Sequence, residues 1–387
     1  MRPKYEIADI LHRYEHNFLE AHKASAQVLR TLQAIKQCRT SALGGHKRAC
    51  SECGHTQVNY NSCRNRHCPK CQVVAKQRWI QQREAELLCV AYFHIVFTLP
   101  HEFNALVIRE PKIIYNALFK ASWQTIQTFS KDPKHLDAKP GMTSVLHTWG
   151  QSMSLHPHLH CIVPCGGLDE KGEWKLPVKS PKSSKRKSNY LFPKRAMSTV
   201  FRAKFMACVR EQMPIDQQIA KKVMSKSWVV DARQPFLGPK QVIEYLGRYT
   251  HKIAISNHRL VNIDNASVSF KYKDYKANGS NKIMTLKSSE FIRRFCLHIL
   301  PHGFVRMRHY GILASRNKSV ALNKAKAYFG LPKWEKQKMG WEQIAIEKLN
   351  YNPNQCPKCK LLTLETVSVI APKRGPPTNK LKPSNEF

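Results

Sequence analysis

The sequence LHPHLHCIV, from Leu155 to Val163, decides which fold and which chemistry we expect. Successive side chains on a β-strand point to opposite faces. His158 and His160 should therefore share one face as a pair of metal ligands, while Leu159 faces the core. Such a pair on an apolar strand is weak evidence by itself, because half-buried histidines are also satisfied by backbone hydrogen bonds.

A second motif, YLGRY, extends from Tyr245 to Tyr249. On a helix these two tyrosines share a face, because they are four residues apart, and they offer two phenols to one site. Tyrosines at this spacing more often form a packed aromatic pair, but together with a histidine pair they indicate nucleophilic catalysis. The two motifs predict tyrosine attack on single-stranded DNA. Arg248 and Lys252 either steady a phosphate or serve as ordinary surface cations.

The charge of the chain indicates a polyanionic partner. The 387 residues include 64 Lys and Arg against 26 Asp and Glu, which gives a formal net charge of +38. This excess goes far beyond what solubility requires, so we expect DNA rather than a membrane as the partner. The sequence starts without the apolar core of a signal peptide, and its longest apolar run, Leu87 to Pro100, is too short to span a bilayer. We therefore expect a cytoplasmic protein.

A cluster of cysteines and histidines near the N-terminus predicts structural zinc. The pairs Cys50-x2-Cys53 and Cys68-x2-Cys71 have the spacing at which two thiolates bind one tetrahedral ion. In one partition these pairs share an ion, and the second ion is bound by Cys38, His46, Cys63 and His67. In the other partition the two ligand sets are Cys38, His46, Cys50 and Cys53, and Cys63, His67, Cys68 and Cys71. In either case zinc should fold the module rather than take part in catalysis.

A third CxxC pair, Cys356 and Cys359, lies near the other end of the chain. It has no obvious second pair to complete a zinc site. Its partners could be among His298, His302 and His309, and the alternative is a plain loop.

The pattern of apolar residues divides the chain into three regions. Residues 1–90 should contain one or two amphipathic helices, between about Tyr5 and Gln37, followed by the zinc module. Residues 91–310 alternate strands with helices, which predicts an α+β domain that carries the histidine strand and the tyrosine helix. The predicted strands include a buried one at residues 93–99, one at 142–148 and one at 159–163. Residues 311–387 should be a basic region that ends in a disordered tail rich in proline and lysine.

Two basic segments within these regions could contact DNA. Residues 261–263 and 267–273 should form a hairpin, with Lys271 and Lys273 on the face opposite Phe270 and Tyr272. A polar insertion between residues 169 and 193 contains the sequence KSSKRK. It is either a loop that meets phosphates or a solvated turn.

Four segments of the chain resemble one known family, in the family's order. They are residues 61–72, the histidine block at 156–160, the YLGRY motif and residues 305–311. They resemble the bacterial two-tyrosine rolling-circle insertion-sequence transposases of the IS91 group, whose nuclease domain is of the HUH type. The resemblance extends from the zinc module to Gly311. It implies an antiparallel sheet that carries the histidines, a helix that carries the tyrosines, and transposition through single-stranded DNA.

The chemistry can also be built from the residues themselves. A Mg²⁺ or Mn²⁺ ion bound by His158, His160 and one further ligand would polarise the scissile phosphate. We predict Gln151 as the third ligand, ahead of His147 and His156. Tyrosine attack would leave a 5′-phosphotyrosine and a free 3′-hydroxyl, so rejoining would need no ATP. Tyr249 is the predicted first nucleophile, because polar and cationic side chains follow it and favour the phenolate.

Two other functions remain open from the sequence. A rolling-circle replication initiator or a relaxase would use the same chemistry for another purpose. A zinc-dependent DNA-binding regulator would need no catalysis, and it predicts that the tyrosines are buried far from the histidines. The sequence leaves the oligomeric state and the recognised DNA sequences undetermined.

Overall fold

The computed structural model describes residues 3–178, 191–232, 241–242, 247, 250–336 and 339–373. Several predicted features lie outside these residues. They are the KSSKRK insertion, the tail from residue 374, and the three side chains of Tyr245, Arg248 and Tyr249.

The N-terminal region begins with two amphipathic helices, as predicted. Helices α1 (Ile7–Ala21) and α2 (Ala26–Gln37) follow one another, and the Ser25 hydroxyl caps α2 by accepting a hydrogen bond from the Val28 amide. Strands β1 (Gly45–Cys50) and β2 (Thr56–Tyr60) then form an antiparallel ribbon. Helix α3 (Gln72–Glu84) leads from this module into the central sheet.

The central sheet is antiparallel and contains the histidine strand. Its strands occur along the sheet in the order β7, β6, β4, β5, β3 and β8. Their bounds in chain order are β3 (Tyr92–Thr98), β4 (Lys139–Trp149), β5 (Leu155–Pro164), β6 (Gly167–Leu168), β7 (Trp174–Lys175) and β8 (Val230–Ala232). The predicted α+β class is confirmed, with two of the predicted strands, at residues 142–148 and 159–163, forming the middle of the sheet.

One face of this sheet is covered by helices. These are α4 (Asn104–Arg109), α5 (Pro111–Ser130), α6 (Lys194–Arg210) and α7 (Gln217–Met224). Leu159 and Phe97 point into the largest apolar core, together with Phe119 and Phe201 from the helices. Because side chains alternate along β5, the histidines on either side of Leu159 are directed to the opposite face.

A second, smaller sheet packs against the N-terminal helices. It contains β9 (Leu260–Ile263), β10 (Ser267–Asp274) and β11 (Ser280–Lys287), and helix α8 (Ser288–Cys296) follows it. The predicted hairpin is confirmed as β9 and β10, and β11 adds a strand that was not predicted. Phe270 and Phe291 are buried in one core with Ile10, Leu11 and Leu32 of the first two helices.

The C-terminal region adds one strand to the central sheet and one to the N-terminal ribbon. Strand β12 (Met307–Gly311) pairs with β4, and helices α9 (Lys318–Tyr328) and α10 (Trp341–Leu349) follow. Strand β13 (Leu364–Ile370) then pairs antiparallel with β1, so the small N-terminal ribbon has three strands. Among the described residues, no helix is both long enough and apolar enough to cross a membrane.

Candidate functional site

Three histidines converge on the open face of the central sheet. The register of β4 and β5 places His147 opposite His158 and Val145 opposite His160. One ring nitrogen from each of His147, His158 and His160 lies within 4.8 Å of the other two. His147 and His160 are buried, and His158 is half-buried. The three imidazoles therefore form a candidate metal centre. It contains both His158 and His160, which the sequence predicted to share one strand face.

The third ligand that the geometry favours differs from Gln151, the residue predicted from the sequence. Gln151 lies along the same cavity, but its amide nitrogen donates a hydrogen bond to the Tyr275 hydroxyl at 3.3 Å. His156 is exposed. The geometry therefore favours His147 over both Gln151 and His156. The reason is the strand register, which brings His147 across from His158 and which the sequence alone does not show.

Hydrogen bonds fix the orientation of two of these rings. His158 Nδ1 lies 2.7 Å from the backbone oxygen of His156, so this nitrogen carries the proton and donates it. His160 Nδ1 lies 2.9 Å from Nε2 of His94, a buried histidine on β3. These contacts engage the Nδ1 atoms, which assigns Nε2 of His158 and His160 as the candidate metal-binding atoms.

Two histidines of the centre, His158 and His160, are held in their neutral form. Burial lowers the pKa of His158 to about 4, and the positive charge of Lys252 acts in the same direction. Burial also lowers the pKa of His160 far below its ordinary value, and the neighbouring rings of His147 and His158 add to the effect. Neutral imidazole is the form that binds metals, so no proton has to be displaced at neutral pH.

A basic cleft extends from the three histidines. Its volume is about 870 Å³. Its walls carry Tyr272 and Tyr275 together with four cations, which are Lys252, Arg259, Lys271 and Lys273. The predicted division of β10 is present in part, because Phe270 is fully buried while Lys271 and Lys273 are exposed. Tyr272, predicted on the face of Phe270, is half-buried and also lines the cleft. Cations and aromatic rings in one groove are typical of surfaces that bind single-stranded nucleic acid.

The chain around the YLGRY motif is anchored at its described residues. Gln241, Val242, Gly247 and Thr250 are helical, in agreement with the helix predicted for this segment. A Cβ atom on Gly247 would lie 2.6 Å from Cδ1 of Ile80, so this position packs closely on α3. The buried guanidinium of Arg306 donates to the backbone oxygens of Thr250 at 2.7 Å and Lys252 at 3.3 Å.

Eight of the thirteen cysteines form two groups of four. In each group the sulfur atoms all lie within 4.8 Å of one another. The first group is Cys38, Cys63, Cys68 and Cys71, and the second is Cys50, Cys53, Cys356 and Cys359. Both predicted partitions are therefore wrong. The physical reason is the pairing of β13 with β1, which brings the C-terminal CxxC pair beside Cys50 and Cys53.

The histidines that were predicted as zinc ligands belong to neither group. His46 is exposed on β1, and His67 is buried with its Nε2 accepting a hydrogen bond from the Leu300 amide at 3.4 Å. The expected histidine partners of Cys356 and Cys359 also lie elsewhere. His298 contacts Thr148 and Met153, and His309 contacts Thr143 and Arg83. His302, on an exposed turn, is likewise in neither group.

Sequence reasoning missed three residues of the site. His94 was predicted only as part of a buried strand. It lies on the same strand face as Val96 and Thr98, and all three residues line the cleft. Arg259 donates through Nε to the backbone oxygen of Lys271 at 2.7 Å, and its place beside β10 follows from packing. Tyr275 is largely exposed at the rim of the cleft. Only His94 had a usable signal, the alternation of strand residues.

Comparisons with known proteins agree with this arrangement. A family model described as "Transposase zinc-binding domain" matches residues 10–99, and one described as "Putative transposase" matches residues 141–320. The zinc-domain match and the cysteine groups together support structural zinc. No solved structure matches the chain significantly.

Two relatives match almost the whole chain. "Putative transposase y4qJ" of Sinorhizobium fredii is 38% identical over 395 residues, which cover 96% of this chain and 97% of the relative. "Transposase for insertion sequence element IS801" of Pseudomonas savastanoi pv. phaseolicola is 26% identical over 399 residues, covering 95% and 92%. Neither is named as a replication initiator or a regulator. The chain therefore belongs to the IS91 family of transposases, with an N-terminal zinc-binding domain.

Proposed function

We propose that this DNA transposase cleaves and rejoins single-stranded DNA at the ends of its element through a 5′-phosphotyrosine, as rolling-circle transposition requires. The observation that carries the proposal is the convergence of three imidazoles, within 4.8 Å of one another, in the lining of a basic cleft. This arrangement joins a candidate metal centre to a surface suited to a phosphate backbone. A regulator that only binds DNA would have no need of such a centre.

The donor set supports a catalytic divalent ion, Mg²⁺ or Mn²⁺. His147, His158 and His160 offer nitrogen ligands, and Mg²⁺ prefers oxygen ligands more strongly than Mn²⁺ does. We therefore propose Mn²⁺ as the better fit of the two. When bound, the ion would polarise the scissile phosphate and offset negative charge on its non-bridging oxygens.

The cations of the cleft would bind and orient the DNA strand. Lys271 and Lys273 project from the exposed face of β10, and Lys252 lies closer to the histidines. Burial lowers the pKa of Lys252, and the nearby charges of Arg259 and Lys273 contribute. A phosphate would relieve this repulsion, so the backbone of a single strand is a favourable ligand for the cleft.

The proposed nucleophiles are Tyr245 and Tyr249. The phenolic oxygen would form a bond to phosphorus as the bond from phosphorus to the 3′-oxygen breaks, and the phenol proton would end on the 3′-hydroxyl. Two tyrosines allow two covalent strands at once, as donor cleavage and target transfer require. Support comes from the sequence position of Tyr249, three residues before Lys252 of the cleft. We further propose Arg248 as a phosphate contact and Tyr249 as the first nucleophile.

Detection of the covalent adduct tests this proposal. A labelled single-stranded oligonucleotide from an element end is incubated with protein and Mn²⁺, then run on a denaturing gel. We expect an adduct with wild type and with Tyr245→Phe, and none with Tyr249→Phe or the double variant. Tyr328→Phe, on an exposed side chain of α9 outside the cleft, is the matched control.

The possible results separate the parts of the proposal. An adduct formed by Tyr249→Phe at the wild-type rate would reverse the order of the two tyrosines. An adduct formed by the double variant would remove tyrosine catalysis altogether.

A further inference from the structure

We propose a second zinc site, made by Cys50 and Cys53 together with Cys356 and Cys359, that joins the two ends of the chain into one zinc-dependent module. The sulfur atoms of Cys50 and Cys359 are 3.6 Å apart, as are those of Cys53 and Cys356. Four thiolates around a tetrahedral zinc ion, with bonds of about 2.3 Å, have sulfur atoms about 3.8 Å apart. The four side chains are therefore arranged at the spacing that one zinc ion requires.

The sulfur separations also distinguish this group from a pair of disulfides. A disulfide bond is about 2.0 Å long, which is much shorter than the distances between these sulfur atoms. All four cysteines are free thiols, and Cys50 and Cys356 are buried. Buried thiols that converge in a fourfold group, rather than in pairs, are typical of a metal site.

The two CxxC loops share one backbone conformation. In the first, the Gly54 amide donates to the Cys50 oxygen at 3.1 Å, and the Cys50 amide donates to the His55 oxygen at 2.9 Å. In the second, the Lys360 amide donates to the Cys356 oxygen at 2.9 Å, and the Cys356 amide donates to the Leu361 oxygen at 2.8 Å.

The residue after the second cysteine has a positive φ in both loops, +68° at Gly54 and +66° at Lys360. A lysine in this region is strained by comparison with glycine. Two loops separated by about 300 residues of sequence thus adopt the same turn around their cysteines. This repetition is independent of the sulfur distances and indicates that both loops are built to bind the same ion.

Contacts outside the cysteines complete the site. The Thr363 hydroxyl lies 3.0 Å from the Cys50 sulfur, where it can donate to a thiolate. The Ser51 amide donates to the Thr363 oxygen at 3.2 Å, and Arg48 donates to Asn354 Oδ1 at 2.9 Å. These bonds hold the two CxxC loops together where β13 pairs with β1.

The apolar core at this junction is small. Among the described residues, the buried members of the cluster are Cys50, Cys356 and Leu364. Such a cluster provides little hydrophobic stabilisation, so a zinc ion would supply much of what holds the two ends together. The zinc-domain family match ends at residue 99, far before Cys356. The C-terminal segment is therefore joined to the zinc-binding module in the folded protein, although the two are far apart in the sequence.

Zinc stoichiometry tests this inference directly. Full-length wild type, analysed by mass spectrometry of the metal and quantitative protein analysis, should contain about two zinc ions per chain. The Cys356→Ser, Cys359→Ser double variant should lose one of them. Adding Cys50→Ser and Cys53→Ser to that variant should cause no further loss, because all four residues bind one ion. Cys89→Ser, an exposed thiol in neither group, should retain both ions.

Further measurements keep the test independent of variants that fail to fold. Cys359→His conserves a zinc ligand and should retain two ions. Cobalt added to zinc-free protein should give thiolate charge-transfer absorption with two equivalents in wild type and one in the double serine variant. A single zinc ion per wild-type chain would overturn the inference, as would two ions in the double serine variant.

Discussion

At the scale of single residues, the orientation of His160 depends on a residue that is not itself a candidate ligand. His94 Nε2 lies 2.9 Å from His160 Nδ1, and His94 is fully buried. Histidine ligands usually need such a partner to fix the ring and its tautomer. We therefore propose His94 as a positioning residue that acts through His160.

Replacement of His94 should weaken metal binding. We expect His94→Ala to raise the Mn²⁺ concentration needed for half-maximal cleavage by about 10- to 100-fold, the usual effect of losing such a partner. His94→Gln, which keeps a polar group near His160, should restore part of the loss. The measurement is cleavage rate against Mn²⁺ concentration. An unchanged metal dependence in His94→Ala would contradict the role.

His298 links stability to pH. Its Nε2 donates to the Met153 backbone oxygen at 3.0 Å, and its Nδ1 accepts from the Thr148 hydroxyl at 3.1 Å. Complete burial lowers its pKa to about 4. In the unfolded chain it should titrate near the ordinary value of about 6.5.

The unfolding free energy should therefore fall as the pH drops from about 6.5 to 4. Over this pH range the histidine binds a proton in the unfolded chain but not in the folded protein. The full difference in pKa lowers the unfolding free energy by about 3 kcal/mol. His298→Gln keeps a donor for Met153 but does not titrate in this range, so its stability should depend less on pH. Denaturant unfolding at several pH values measures both slopes, and equal slopes would exclude His298 as a contributor.

The sequence predicts which site residues share a strand face, but not which strands lie side by side. The alternation around Leu159 was sufficient to pair His158 with His160. His147 and His94 come from neighbouring strands, so their place depends on strand register, which is set by nonlocal packing. The same limit explains the wrong zinc partitions, because spacing identifies CxxC pairs without identifying which pairs meet.

At the scale of elements, β10 presents one face to the core and one to the cleft. Phe270 is buried on one side, while Lys271 and Lys273 are exposed on the other. The alternation of the sequence predicted this division. Its partner β11 was not predicted. The pairing of β13 with β1 was not predicted either, because it joins segments about 300 residues apart and local sequence patterns do not indicate such contacts.

The lysines of β10 should contribute to DNA affinity. Lys271→Ala and Lys273→Ala should each weaken binding of a single-stranded oligonucleotide and lower the slope of log affinity against log salt by about 0.7. Lys120→Ala is the control, because this exposed lysine is on α5, which packs on the opposite face of the sheet. Fluorescence anisotropy at several salt concentrations gives both quantities. Equal effects at all three positions would mean that the cleft has no special role.

At the scale of the whole molecule, the two ends of the chain meet in one module. The first helices share a core with β10 and α8, and β13 pairs with β1. The three sequence regions, 1–90, 91–310 and 311–387, remain our proposed domain order, with the first and third joined through strand pairing. The first cysteine group contributes to this shared core, because Cys38 and Cys68 are buried in it with Phe270.

We propose that His147, His158 and His160 bind the catalytic ion. The direct test is metal-dependent cleavage of a single-stranded oligonucleotide by His147→Ala, His158→Ala and His160→Ala, with DNA affinity measured in parallel. Gln151→Ala is the matched control, because this side chain lines the same cleft and donates a hydrogen bond to the Tyr275 hydroxyl. The three histidine variants should lose cleavage by about 100-fold or more while keeping DNA affinity, since phosphate contacts supply the binding. Wild-type cleavage by the histidine variants, or equal loss in Gln151→Ala, would contradict the assignment.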